Sequence, residues 1–267
     1  RASIDLNRVI NAETGTAVRL NAMAQDANVA GRNGIENNRW GIAPSFAFGL
    51  NSPTRVFVNL LHIKQSNVPD GGVLTMGLPG YTSPDPAKRG YLSGAARVNS
   101  KNFYGTASDH DDVTATMATL KVEHDFTSTT KLRNTTRWGE TKQDYLLSAI
   151  MGQGYSASGV LGSNGLQTPN PADPSTWSMA RLINTKDQVN RILTNQTNLN
   201  TSLATGSVQH DLSLGLELTR EEQTNYGLAT SGSVPSRVSV YNPDASVTLP
   251  AYVRNGADSK GKTDTVA

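Results

Sequence analysis

Ser207-Val208-Gln209-His210-Asp211-Leu212-Ser213-Leu214-Gly215-Leu216-Glu217-Leu218-Thr219 decides how the fold is read. Val208, His210, Leu212, Leu214, Leu216 and Leu218 fall on one side of an extended chain. Ser207, Gln209, Asp211, Ser213, Gly215, Glu217 and Thr219 fall on the other. A period of two means a β-strand whose faces meet different surroundings. An antiparallel sheet laid over a soluble core alternates in the same way, so a second strand is needed. Trp40 to Leu50 puts Trp40, Ile42, Pro44, Phe46, Phe48 and Leu50 on one face, and only Gly41, Ala43, Ser45, Ala47 and Gly49 on the other. Large apolar groups opposite small residues suit a barrel wall that turns aromatics toward lipid.

Six further stretches read as strands: Ser3–Ile10, Thr16–Asp26, Thr54–Gln65, Val113–Phe126, Thr130–Tyr145 and Val189–Ala204. That makes about eight, several of them longer than the roughly 9–11 residues that cross a bilayer. Thr54–Gln65 and Val189–Ala204 alternate too poorly for their faces to be assigned. Asn11–Gly15, Asn51–Pro53, Thr127–Thr129 and Thr205–Gly206 are short connections of turn-forming residues. Between them lie Asn28–Asn38 and the far longer Asn67–Asp112, Leu146–Gln188 and the stretch from Asn225 onward. Compact domains seldom carry structureless connections above about 12–15 residues. Short turns on one side and long extracellular loops on the other are the plan of an all-β, antiparallel outer-membrane barrel.

Composition agrees. A chain of 267 residues could bury one or two soluble cores. Hydrophobic residues are only 36% and charged residues 17%, with a formal net charge of +2 and a mean hydropathy of −0.41. That is thin for a soluble core, yet too weakly charged for disorder. A barrel needs apolar residues on one face only. No run approaches the roughly 18 apolar residues of a helical span; Val56–Ile63, the most apolar, is broken by Asn59 and His62. Cysteine is absent, which removes disulfides, thiolate metal sites and cysteine nucleophiles. Lys+Arg 24 against Asp+Glu 22 is too small an excess to argue for a nucleic-acid partner. No acid/base pair or nucleophile motif supports an enzyme, and no cofactor is expected. Arg1 at the start and the polar stretch into Thr265-Val266-Ala267 read as an internal piece of a larger barrel, without plug domain or C-terminal strands.

Several segments resemble TonB-dependent siderophore receptors. They include Arg19-Leu20-Asn21-Ala22-Met23, Arg39-Trp40-Gly41-Ile42-Ala43-Pro44-Ser45, Asn67-Val68-Pro69-Asp70-Gly71-Gly72 and Gly77-Leu78-Pro79-Gly80-Tyr81. Leu132-Arg133-Asn134-Thr135-Thr136-Arg137-Trp138 and Asn190-Arg191-Ile192-Leu193-Thr194-Asn195-Gln196-Thr197 belong to the same run. With Asn102-Phe103-Tyr104-Gly105, the run is most similar to the Fiu-type catecholate receptors. The resemblance implies a barrel of about 22 strands with a plugged lumen. It also implies a ferric catecholate siderophore as ligand, TonB as energy source acting through a plug that this chain lacks, and outer-membrane lipid around the wall.

A ferric catecholate is a bulky anion with aromatic rings, so its site needs cations, hydrogen-bond donors and aromatic faces. Asn67–Asp112 carries Tyr81, Lys88, Arg89, Tyr91, Arg97, Lys101, Phe103 and Tyr104. Leu146–Gln188 carries Tyr155, Trp177 and Arg181, with Tyr145 at its root. The candidate ligand residues are Tyr81, Arg89, Tyr91, Arg97, Tyr104, Tyr145, Trp177 and Arg181. The competing account is that the aromatics fill small loop cores and the arginines pair with loop carboxylates. If Leu132, Thr136 and Trp138 face lipid, Lys131, Arg133, Thr135 and Arg137 face the lumen, as does Arg19; they would attract anions or meet plug carboxylates.

Asp109-His110-Asp111-Asp112 clusters oxygen ligands for a divalent cation, but lacks the Gly and distal Glu of a calcium loop and suits a solvated loop-to-strand junction. His62, His124 and His210 have no ligand spacing. Gly256-Ala257-Asp258-Ser259-Lys260-Gly261-Lys262-Thr263 satisfies the Walker A pattern, yet lacks the buried strand before it and the helix after it, and reads as a loop tip. Two rivals remain: a self-contained porin-like or structural barrel, and a secreted all-β adhesin or carbohydrate-binding module with a wet outward face.

Overall fold

The computed structural model describes residues 1–151, 154–155, 161–162, 165–234 and 237–267. One ten-stranded antiparallel sheet organises them. Its strands are β1 (Ala2–Asn11), β2 (Thr16–Gln25), β3 (Glu36–Phe48), β4 (Thr54–Val68), β5 (His110–Asp125), β6 (Thr130–Met151), β7 (Ser178–Thr205), β8 (Val208–Tyr226), β9 (Arg237–Ser239) and β10 (Ser259–Val266). The order is β1-β2-β3-β4-β5-β6-β7-β8-β10, with β9 on the outer end of β7. Each long strand pairs with its neighbour in the chain, which is the meander of an up-and-down barrel wall.

Residues paired in an antiparallel ladder share a face, so the register carries each face across the sheet. Phe46, Val58, Leu120, Thr136, Asn195, Leu218 and Val266 form one outward row. Ser45, Asn59, Thr119, Arg137, Thr194 and Thr219 form the inward row beside it. The outward face keeps large apolar groups uncovered: Trp40 is 46% exposed and Leu214 61%. A soluble protein rarely leaves so continuous an apolar surface bare. The outward face is therefore the lipid face, and a wet binding module is excluded.

The two strands with blurred alternation are now assigned. On β4 Val56, Val58 and Leu60 point out, while Phe57, Leu61 and Ile63 join Arg55 and Asn59 on the inner face. Lys121 lies over the Phe57 ring at 4.0 Å, on that inner side. On β7 Leu193, Leu199 and Leu203 point out, between the polar Asn195, Thr197 and Thr201. Asn134 and Asn195 exchange amide hydrogen bonds at 3.1 and 3.2 Å and also take Thr197 and Thr136, at 2.8 and 2.7 Å. This polar patch inside the apolar band is thus internally satisfied, as lipid requires.

Short turns lie on one side of the wall. Asn11 Oδ1 accepts from the backbone N–H of Glu13 and Thr14, and Thr127 Oγ1 from those of Thr129 and Thr130. On the other side the strands outrun the sequence reading: β3 begins at Glu36, β5 at His110 and β7 at Ser178, and β6 runs to Met151. β10 is a strand that the sequence pattern does not announce. Ser259-Lys260-Gly261-Lys262-Thr263-Asp264 has no apolar alternation because it pairs with β8 beyond the last outward leucine, from Arg220 to Asn225. Ladder hydrogen bonds, not hydrophobic pattern, hold these outer ends.

Candidate functional site

The long connections pack into one cap over the outer strand ends. Its core is Met76, Leu92, Val98, Tyr104, Leu166, Trp177, Met179, Val238 and Val240, with Tyr81, Tyr91 and Tyr241 packed against it. Backbone bonds sew the segments together: Val98 N–H to Met76 O at 3.3 Å, Val240 N–H to Trp177 O at 3.1 Å, and Ala107 N–H to Val247 O at 2.9 Å. The turn around Gly77 is one reason the cap closes. Gly77 has φ +76°, and a Cβ there would lie 2.4 Å from the Arg97 backbone, so only glycine permits that approach.

Three of the sequence candidates are structural members of this cap. Tyr104 is 1% exposed, and its hydroxyl donates to Val240 O at 2.6 Å; burial pushes its phenol above the ordinary tyrosine range. Trp177 is 2% exposed, donates from Nε1 to Asn170 O at 2.9 Å, and stands edge-on to Tyr91 at 5.8 Å. Arg181 is buried and gives its guanidinium to three carbonyls: Tyr104 O at 2.9 Å, Gly105 O at 3.0 Å and Asp244 O at 2.8 Å. It ties the 69–109 connection and the 227–258 connection to β7.

The other five keep surface. Tyr81 and Tyr91 are half-buried on the flank of the core, with Tyr91 Oη 2.5 Å from Thr168 Oγ1. Arg89 is exposed and donates from Nε to Ser83 O at 2.9 Å. Arg97 is exposed and, among the described residues, has no hydrogen-bond or ion-pair partner for its side chain. Tyr145, half-buried on β6, shares the inner face with its cross-strand neighbours Asp111 and Lys186. Lys186 is exposed and lies on the outer part of β7, within the stretch Leu146–Gln188 whose sequence pattern reads as loop. Tyr155 lies outside the residues whose side chains are described.

The lumen cations are where the alternation put them, but their partners belong to the wall. Arg19 grips Asp5 at 2.6 Å, and Arg133 donates to Glu123 at 3.0 Å. Glu123 also takes Lys121 at 3.0 Å and Arg55 at 3.4 Å; Arg55 reaches Asp125 at 2.7 Å. Arg137 donates to Thr119 Oγ1 at 3.2 Å. The ladder supplies carboxylates that pairing with a plug was expected to supply.

Asp109-His110-Asp111-Asp112 does not converge. Asp109 is buried and accepts from Thr106 N and Oγ1 at 3.1 and 2.6 Å and from Ser148 N and Oγ at 2.8 and 2.7 Å. His110 turns to Asp144, Asp111 to Gln65 and Gln143, and Asp112 to Ser66. Among the described residues no group of three or more such side chains could hold a metal ion. The Walker-like stretch is an extended strand from Ser259 onward, paired with β8, and not a loop whose successive amides converge on one point.

No family model matches the chain. The catecholate siderophore receptor Fiu of Escherichia coli K12 is 47% identical over all 267 residues, which span 33% of that receptor. A probable TonB-dependent receptor, BfrD of Bordetella pertussis, is 30% identical over 95% of the chain and 33% of its own length. The closed-form crystal structure of the ferric-catecholate import receptor Fiu from E. coli K12 superposes with a TM-score of 0.87 at 46% identity, covering 99% of this chain and 35% of that one. The chain thus spans about a third of the length of the relatives it matches. Matched from end to end at that identity, with a lipid-facing strand wall and long external connections, the chain is outer-membrane barrel wall and belongs to the TonB-dependent siderophore receptors, in the Fiu-type group.

Proposed function

We propose that the whole protein to which this wall belongs binds ferric catecholate siderophores at its outer cap and imports them through the barrel, energised through TonB acting on a plug. The observation that carries this reading is the end-to-end likeness to Fiu, which extends through the long connections as well as the strands. The matched relatives are receptors, which gives an enzymatic reading no support. Uptake of iron-loaded catecholate by cells in which the full-length receptor is the sole route tests it. Uptake that stops when TonB is deleted is the expected result; none in TonB-competent cells would overturn it.

Within the cap, the ligand surface is built from groups that still have valence to give. Arg97 and Arg89 supply exposed cations, Tyr81 and Tyr91 aromatic flanks, and Tyr145 with Lys186 a ring and an ammonium on the lumen side. Arg97→Ala and Lys186→Ala each remove a charge-assisted bond of about 1.5–3 kcal/mol, so titration of the full receptor should show at least about tenfold weaker binding. Unchanged affinity in both variants would sink this assignment while leaving the uptake test intact.

A further inference from the structure

We propose that His110 is a pH-sensitive latch that holds the middle of the 227–258 connection against the outer ends of β5 and β6. The inference rests on the wall and its connections, not on what the receptor imports.

The connection leaves β8 and returns to β10 as a strap. Its base is a short pairing of Leu228 and Ala229 with Arg254 and Val253. Arg254 locks that base. Its guanidinium lies over the Tyr226 ring at 3.5 Å and forks onto the Asp187 carboxylate at 2.6 and 3.0 Å. Farther along, the Asp244 carbonyl accepts from Arg181 at 2.8 Å. Between these anchors the strap touches down on Ala107 and Ser108, just ahead of β5. Ala107 N–H donates to Val247 O at 2.9 Å, and Leu249 N–H to Ser108 Oγ at 2.8 Å.

His110 fastens that touchdown to the wall. Its Nδ1 is 2.8 Å from Ser108 O, and its Nε2 is 3.2 Å from Asp144 Oδ1, diagonally across the β5–β6 ladder. A carbonyl and an ionised carboxylate only accept. A neutral imidazole carries one N–H and turns a lone pair on one of the two, so only the imidazolium serves both. Burial of the ring by itself lowers its pKa. The Ser108 carbonyl and Asp144, with Asp112 behind them, outweigh burial and hold the ring above the ordinary histidine value. The other charged groups nearby are already committed. Asp187 is taken by Arg254 and Lys142 by Glu140, while Asp109 is spent on Thr106 and Ser148, and Asp111 on Gln65 and Gln143. From the strap, Arg254 and the neutral Tyr252 phenol complete the surroundings. Asp112 and Asp144 therefore leave a negative excess that favours the charged ring.

Water reaches the latch. The strap bridges a hollow of about 280 Å³ between Leu146, Leu228, Leu249, Pro250 and the His110–Asp144 pair, and the His110 side chain is 35% exposed. A histidine whose folded pKa is raised stabilises in full below its unfolded value, about 6.5. That contribution is lost as pH rises through the higher folded value. The neutral ring then lets go of Ser108 or Asp144, and the middle of the strap lifts while Arg181 and Arg254 keep its anchors.

Hydrogen exchange in the full-length receptor tests this, followed from about pH 5.5 to about 9 and corrected for the intrinsic pH dependence of free amides. Protection of the Ala107 and Leu249 amides should fall about threefold as pH rises. The Asn33 amide, bonded to Lys101 O away from the latch, is the level reference below pH 8. His110→Gln should show the low protection at every pH. Asp144→Asn keeps the ring but removes its carboxylate, so the fall should persist with its midpoint about half a pH unit lower. Level protection in the wild type would overturn the proposal. So would a His110→Gln variant that keeps the wild-type pH profile, because another group would then be titrating. Should His110→Gln fail to fold, judged by heat-modifiable migration, Asp144→Asn decides alone, and an unmoved midpoint there would be equally fatal. None of these readings depends on uptake, so a failed uptake test leaves the latch standing.

Discussion

Single side chains divide into those that hold the cap and those it presents. Arg181 is a buried cation spent on three carbonyls, and Asp109 a buried carboxylate spent on Thr106 and Ser148. Truncating either strands partners that water cannot reach, at about 1–3 kcal/mol for each group left unsatisfied. Arg181→Ala and Asp109→Ala should therefore loosen the cap while leaving the strands intact. Limited proteolysis should cut the 69–109 and 227–258 connections faster in both; wild-type cleavage rates would refute the tethering role. The Arg32–Asp70 pair, 2.6 Å apart, gives the cap a pH dependence. Burial alone would raise the Asp70 carboxyl, but Arg32 and the Gly72 N–H together hold it below its ordinary value. Arg32 also donates to Ser100 O, so the pair ties the β2–β3 connection to the 69–109 segment. A depressed carboxyl stabilises in full above its unfolded value, about 4, and the tie is lost as pH falls through the lower folded one. With exchange corrected for the intrinsic pH dependence of free amides, protection around Asn33 and Gly72 should fall in that acid range and stay flat from pH 5 to 8; a loss of protection on the alkaline side instead would contradict the assignment.

Strands show what alternation can and cannot reveal. Leu214 sits inside the outward leucine run of β8 and is 61% exposed. An arginine there faces lipid, so Leu214→Arg should cost about 2–4 kcal/mol in bilayer refolding of the full receptor, while an inner-face change such as Asn198→Arg should cost far less. A negligible effect at Leu214 would remove the lipid face. That face was legible because lipid selects one side of the strand and leaves the lumen side polar, as β8 and β3 show. Legibility fails where either condition is missing. The inner face of β4 carries Phe57, Leu61 and Ile63, which erase the contrast. β10 outward of Val266 and the outer halves of β6 and β7 stand above the apolar band, where no solvent difference imposes a pattern. The candidate site suffered for the same reason. Sequence supplies the right residue types in the loops, but which of Arg97, Trp177 and Arg181 is presented and which is buried depends on packing between connections far apart in the chain, such as Val240 against Trp177.

At the scale of the whole molecule the wall has two open margins. Among the described residues β1 pairs only with β2, and the long margin of β10 away from β8 has no strand beside it. Each margin presents backbone N–H and C=O groups at membrane depth, where every unmet group costs several kcal/mol. An open sheet edge is also a template for pairing with other chains. Closing β1 against β10 would make a nine-stranded barrel, and the lumen face argues against so tight a curve. It carries Arg55, Lys121, Arg133 and Glu123 in an ion-pair network and Arg19 with Asp5, and these need room for water or a polar filling. A small barrel must instead fill its interior with packed side chains. Produced alone and refolded in detergent, this 267-residue segment should therefore elute as heterogeneous oligomers and show no heat-modifiable band. The full-length receptor should give one discrete, heat-modifiable species. A discrete monomer from the segment alone would mean that β1 and β10 do zip together, and would revive the self-contained barrel as the fold of this chain.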